Sequence, residues 1–259
     1  MSQLLVENES RELLDDVQCY WTSRAAGYAQ LNAAELANAK RAAWLKKITE
    51  YAPDKPRLKV LDIGTGPGFF AVTLALAGHR VTAVDITRAM LDQARANAAH
   101  YGVAVNFVLS DVHALPFADD SFDLIVARNV TWNLDAPQYA YQEWRRVLAP
   151  GGRLVNFDAN WYLQLFDEQS RLGYLADRAN ARYLGLDDHY VNTDTVAMEN
   201  IARQLPLSRE RRPQWDTQAL LQCGYRKIML DTRVGDELWD ETEKVNYAST
   251  PLFLVCAEK

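Results

Sequence analysis

Three short runs of this chain hold the residue types and spacings that could do chemistry. The first is Val60-Leu-Asp-Ile-Gly-Thr-Gly-Pro-Gly-Phe69. Glycines at 64, 66 and 68 let main chain approach a ligand without side-chain obstruction. Amides there, and a helix starting just beyond, favour a carboxylate or a phosphate. The spacing is G-x-G-x-G rather than the G-x-G-x-x-G of dinucleotide binders. Asp62, two positions before Gly64, welcomes an ammonium group and repels a pyrophosphate. The run therefore points to a ligand with an amino-acid tail, with Thr65, Gly68 and Phe69 as further candidate contacts. The second run is Val81-Thr-Ala-Val-Asp-Ile86, in which Asp85 stands 21 residues after Gly64. An acid ending a second strand can bind both hydroxyls of a ribose. Its competing role is to cap the next helix, which Thr87 could also do. The third run is Leu109-Ser-Asp-Val-His113. Asp111 there can accept from an adenine amino group, with Ser110 beside it and Val112 offering an amide; the alternative is a solvated loop. His113 could serve as a base, but its place next to this run favours a structural role.

These runs need elements to hold them at one rim. Residues 58–63, 81–86, 105–109, 122–127 and 153–158 read as short apolar strands, as expected when both faces of a sheet are buried. Residues 69–77, 88–101 and 137–148 read as helices, the first two closed by Gly78 and Gly102. Alternation at this spacing predicts a doubly wound α/β sheet. Residues 225–232 and 252–257 add two strands, giving a seven-stranded, mostly parallel sheet with an antiparallel C-terminal edge strand. Upstream, residues 10–30 read as a helix broken near Gly27, and 32–50 as a helix with Leu36, Ala39, Ala43, Trp44, Lys47 and Ile48 on one stripe. The chain divides into an N-terminal helical cover (1–52), a core (53–158), a helical lid or insertion (159–215) and the C-terminal part of the sheet (216–259). The insertion carries Trp161, Tyr162, Phe166, Tyr174, Tyr183 and Tyr190, and an arginine cluster at 203, 209, 211 and 212. That cluster reads as a solvated face, or else as a meeting place for an anionic ligand.

Composition narrows the function classes. With 34 acidic and 28 basic residues the 259-residue chain carries a formal charge of −6, which disfavours nucleic acid as partner. No run approaches the roughly 18 consecutive apolar residues of a membrane span, and no leader is visible, so a cytoplasmic location without membrane contact is expected. Cys19, Cys223 and Cys256 are scattered and odd in number, and His79, His100, His113 and His189 lack metal-site spacing, so neither a disulfide framework nor a metal is expected.

Taken together, Asp62–Gly68, Val84-Asp-Ile86, Ser110-Asp-Val112, Leu115-Pro-Phe-Ala-Asp-Asp-Ser-Phe-Asp-Leu-Ile-Val126 and Trp144-Arg-Arg-Val-Leu-Ala-Pro-Gly-Gly-Arg-Leu-Val155 resemble the class I S-adenosylmethionine-dependent methyltransferases. The match is strongest to their small-molecule, UbiE-like branch. It covers residues 58–158 and implies a Rossmann-like fold and S-adenosylmethionine as cofactor. By motif position it implies that Asp62 and the backbone of Gly64 and Gly66 hold the methionine ammonium and carboxylate. It implies further that Asp85 holds the ribose, Ile86 and Met90 flank adenine, Asp111 and Val112 read its edge, and Arg128 and Asn129 lie beside the methionine. Cys19–Tyr28 resembles the helical cover of this branch, so Tyr20 and Tyr28 either close over the cofactor or anchor the helix. Trp132 in Arg128-Asn-Val-Thr-Trp-Asn133, with Asp158, Asn160, Trp161 and Tyr162, either lines an acceptor pocket or packs the insertion on the sheet. Nucleic-acid methylase motifs are missing from that region. The expected activity is in-line methyl transfer to a small molecule, by one copy or a homodimer. The alternatives are an RNA or protein methyltransferase, or a binding protein without turnover.

Overall fold

The computed structural model describes residues 2–187 and 194–259; His189 and Tyr190 lie outside the described residues. Helix α1 runs from Ser2 to Ala37, and α2 (Lys40–Tyr51) follows after a two-residue break. Gly27 therefore does not break the helix. Buried Leu13, Val17, Ala25, Ala29, Asn32 and Leu36 recur at steps of three, four or eight, forming a single inward stripe. Gly27 lies off that stripe in open space, so it costs only helix propensity, about 1 kcal/mol against alanine.

Beyond α2 the chain alternates as its pattern predicts: β1 (Lys59–Ile63), α3 (Phe69–Leu76), β2 (Arg80–Asp85), α4 (Arg88–His100), β3 (Asn106–Leu109), β4 (Phe122–Arg128), α5 (Pro137–Val147) and β5 (Leu148–Asp158). Three helices follow, α6 (Glu168–Tyr183), α7 (Thr195–Ala202) and α8 (Gln214–Gln222), then β6 (Arg226–Asp231), the short helices α9 (Gly235–Leu238) and α10 (Glu241–Asn246), and β7 (Phe253–Glu258). The seven strands lie in the order β3-β2-β1-β4-β5-β7-β6. β1 to β5 are mutually parallel, and β7 runs antiparallel to both its neighbours. The antiparallel C-terminal strand thus slots between β5 and β6, which leaves β6 as the strand at the rim.

Each face of the sheet has its own core. On one face Trp44 of α2 meets Phe157 at 4.9 Å and Phe70 at 5.4 Å between ring centroids, both edge-on. On the other, Tyr141 and Trp144 of α5 are fully buried against β4, β5 and β7. A third cluster joins Leu13 and Val17 of α1 to Trp132, to Met198 and Ile201 of α7, and to Leu205. Through it the N-terminal helix and the segment after β5 share one apolar contact above the sheet.

Candidate functional site

The carboxyl ends of β1 to β4 open into one cleft, at the point where the strand order reverses between β1 and β4. Of the residues singled out in the sequence, Tyr28, Gly64, Gly66, Asp85, Ile86, Met90, Asp111, Val112, Arg128 and Asn129 line it. Asp62, Thr65, Gly68, Phe69 and Ser110 do not; they support the elements around it.

The glycine turn is built as its residues require. Gly64 and Gly66 have φ of +60° and +52°, and a Cβ on Gly64 would stand 2.6 Å from Val130 Cγ2. A Cβ on Gly66 would meet only the Tyr28 ring, 3.8 Å away across the cleft. Asp62 lies beneath the turn, where its carboxylate accepts from Thr65 Oγ1 at 2.6 Å. Burial pushes the Asp62 carboxyl up to about 7, against the downward pull of the Thr65 hydroxyl and the Ala71 amide. The amides of the turn are largely committed inside the protein. Thr65 N–H donates to Val84 O, Gly66 N–H to Asp85 Oδ2 and Gly68 N–H to Thr65 O, while Pro67 has no N–H.

Asp85 is buried, and its other oxygen accepts from Thr87 N–H at 2.8 Å. It thus latches the glycine turn to the start of α4 while facing the cleft, and the Thr87 side chain makes no capping bond. Burial raises the Asp85 carboxyl above its ordinary value despite those amide bonds. Asp111 Oδ1 accepts from His113 N–H and faces its Nδ1 at 2.8 Å, while Oδ2 makes no hydrogen bond among the described residues. His113 Nε2 lies 3.4 Å from Asp135 Oδ1. Burial opposes charge on this imidazole, but Asp111 and Asp135 outweigh it, so its pKa is raised; the Asp111 carboxyl is lowered by the same bond. The ring thus braces the edge of the cleft between two acids.

At the exit of β4 the polar groups are less well satisfied. Asn129 adopts a left-handed φ of +58°. Arg128 Nη1, Asn129 Oδ1 and Asn133 Oδ1 are buried without a hydrogen-bond partner among the described residues, and all three residues line the cleft. A buried unmet polar atom costs about 1–3 kcal/mol, so three in one cleft wall suit a polar ligand.

Several wall residues escaped the sequence reading. Leu14, Val17 and Trp21 of α1 roof the cleft together with Tyr28. The heptad spacing of 14, 21 and 28 was the available signal for that face. Gln18 Nε2 donates to Ile86 O at 3.0 Å, and Glu35 pairs with Arg128 at 2.8 Å, so α1 is tied down on both sides of the cleft.

The candidate acceptor-lining residues gather beside this cleft, outside its wall. Tyr20, Trp132, Trp161 and Tyr162 belong to the third apolar cluster, and the Trp132 and Tyr162 rings lie 5.1 Å apart. Asp158 is fully buried. It accepts from Thr131 Oγ1, Trp132 N–H and Trp161 Nε1 and pairs with Arg212 at 2.8 Å. Asn160 bonds the Arg212 main chain through both ends of its amide. These carboxylate and amide groups are spent on holding the wall together. Arg212 likewise departs from the solvated reading of its cluster: its side chain is fully buried between Asp158 and Asp216. Its neighbours behave as surface groups, with Arg211 on Asp167 and Arg209 over the Phe166 ring.

Residues 61–156 match the family model described as a methyltransferase domain, so the resemblance carried by the motifs holds for this stretch. Over 111 residues the chain is 40% identical to malonyl-[acyl-carrier protein] O-methyltransferase of Erwinia pyrifoliae, covering 42% of this chain and 40% of that protein. Over 114 residues it is 37% identical to demethylmenaquinone methyltransferase of Thermus thermophilus, covering 43% of this chain and 52% of that protein. The similarity thus spans about half or less of each relative's length. Among solved structures, a SAM-dependent methyltransferase from Aquifex aeolicus superposes with a TM-score of 0.54 at 19% identity, covering 87% of this chain and 95% of the other, a likeness of fold.

Proposed function

We propose that this chain transfers a methyl group from S-adenosylmethionine to a small molecule. The observation that carries the reading is the convergence, in one cleft, of the glycine turn after β1, the acid after β2 and the acid after β3. Each meets a different part of one cofactor: amino-acid tail, ribose and adenine. The partnerless polar atoms at the β4 exit fit the polar tail of the same ligand. Asp85 takes the ribose with the lone pairs its two amide bonds leave over, Ile86 and Met90 hold the adenine faces, and Asp111 Oδ2 with Val112 reads its edge. Asp62, hidden beneath the turn, acts on the ammonium through its charge.

When bound, the cofactor supplies a methyl group already activated on a sulfonium, so the chain's own residues have to align and dry the reactants. Leu14, Val17, Trp21 and Tyr28 exclude water from above. The acceptor enters on the side of Trp132, Trp161 and Tyr162, which pack together beside the cleft. The demethylmenaquinone methyltransferase of Thermus thermophilus, named for a small-molecule acceptor, supports a small acceptor as well. No helix of the described residues is long and apolar enough to cross a membrane, and the three cysteines are free, in keeping with action in the cytoplasm. We read residues 1–52 as the cover, 53–158 and 216–259 as the sheet, and 159–215 as a lid.

The test is product formation. Protein incubated with S-adenosylmethionine and a small-metabolite extract is expected to yield S-adenosylhomocysteine only when the extract is present. Turnover that instead requires RNA or protein, or tight binding with no turnover on any acceptor, would overturn the reading. Light scattering on the same sample distinguishes one 29.3 kDa copy from a homodimer.

A further inference from the structure

The committed amides of the glycine turn leave a carboxylate at the cofactor's tail short of donors. Thr65, Gly66 and Gly68 give their N–H groups to Val84, Asp85 and Thr65, and Pro67 has none to give. One strong donor faces the same cleft. Arg128 stands at the end of β4, beside the turn, because β4 pairs with β1 in register from Val60 to Ile63. Its Nη2 donates to Glu35 of α1 at 2.8 Å, whereas Nη1 is buried without a hydrogen-bond partner among the described residues. The guanidinium is held over the rings of Trp44 and Phe69, at 4.9 and 4.8 Å from their centroids. Burial works against its charge, but the Glu35 carboxylate more than restores it, so it stays a full cation.

We propose that Arg128 Nη1 receives the α-carboxylate of the cofactor's methionine tail, with Glu35 of α1 as the positioning residue that turns the fork so that Nη1 faces the cleft. This rests on the reading of the cleft as an S-adenosylmethionine site. A planar fork with one arm fixed by a carboxylate on α1 loses little freedom when its other arm meets a second carboxylate. Cofactor recognition therefore runs through the N-terminal helix as well as through the sheet.

The experiment compares two ligands by calorimetry on the full chain: S-adenosylhomocysteine and its analogue lacking the α-carboxylate. A charge-assisted hydrogen bond predicts about a 10- to 100-fold preference for the carboxylate form. Arg128→Gln should bring that ratio close to one, mainly by weakening S-adenosylhomocysteine, and Arg128→Lys should leave it between the two. Glu35→Gln should reduce the ratio, whereas a merely structural Glu35 would weaken both ligands alike and so refute its positioning role. If Arg128→Gln does not fold, the Lys variant carries the test. Equal affinity of the wild-type chain for both ligands overturns the carboxylate anchor while the cofactor reading stands. Failure to bind either ligand overturns the cofactor reading itself, and the anchor with it.

Discussion

Two arginines, Arg128 and Arg212, both lie against the sheet and are treated in opposite ways. Arg212 is closed on every side. Its Nε and Nη2 reach Asp216, Nη1 reaches Asp158, and Nη2 also donates to Thr131 Oγ1. Tyr141 OH donates to the same Asp216 at 2.6 Å, and Asn156 Nδ2 to Thr131 Oγ1. Arg128 has one arm bonded and one unmet. A network in which each guanidinium nitrogen has a partner joins the segment after β5 to the sheet, whereas a half-matched one faces the cleft. Completeness of hydrogen bonding, together with full burial of Arg212, separates the charge that holds the fold together from the charge kept for a ligand.

The contrast can be broken first at its stabilising end. Arg212→Leu leaves Asp158 and Asp216 buried without their counter-charge, and should cost about 3–5 kcal/mol. In a domain of this size that is a Tm fall of roughly 10 °C by calorimetry. A fall of a degree or less would mean that the network relaxes into water and the distinction is unsound. Asp85→Ala should act in the opposite sense, weakening cofactor binding by about 10- to 100-fold, the worth of hydrogen bonds to a charged acceptor. Unchanged affinity by calorimetry would remove Asp85 from the ribose and leave it only as the latch between Gly66 and Thr87.

A third effect is one of pH. The Asp62 carboxyl is raised from 3.8 to about 7, so its unfolded form ionises first as pH increases. Its contribution to stability is complete below the ordinary carboxylate range and is lost as pH rises through about 7. Ligand binding carries the reverse sign, because an ammonium beside Asp62 favours the ionised carboxylate. From about pH 5 to about pH 8 the protein alone should therefore lose Tm while its affinity for S-adenosylhomocysteine rises. Asp62→Asn should flatten both trends, and trends that persist in that variant would place the titrating group elsewhere.

The sheet was legible because its strands are short apolar runs alternating with helices that glycines close, a pattern that depends on neighbours in sequence. The wall formed by Gly66, Asp85 and Asp111 was legible for the same reason, since each ends or closely follows a strand. What stayed hidden depends on partners far along the chain. Glu35 and Arg128 are 93 residues apart, and Arg212 and Asp158 are 54. Within the cluster at 203–212 the sequence holds nothing to mark Arg212 as the buried member. Gly27 looked like a break because propensity was the only term visible, while the burial that carries α1 through it comes from α4, α3 and α7. The donors of the glycine turn were misjudged in a similar way. Glycines make an approach by ligand feasible, but which amides remain to greet it depends on the strands alongside.

The position of β7 bears on how the molecule is made. β7 pairs with β5 from Arg153 to Asp158 and with β6 on its other side. A ribosome-bound chain that has emerged only as far as Asn246 carries β5 with an open hydrogen-bonding edge and β6 with no strand to join. Such an edge invites pairing with another nascent chain. β7, which follows the other six strands in sequence, is therefore the one that seals the sheet between β5 and β6.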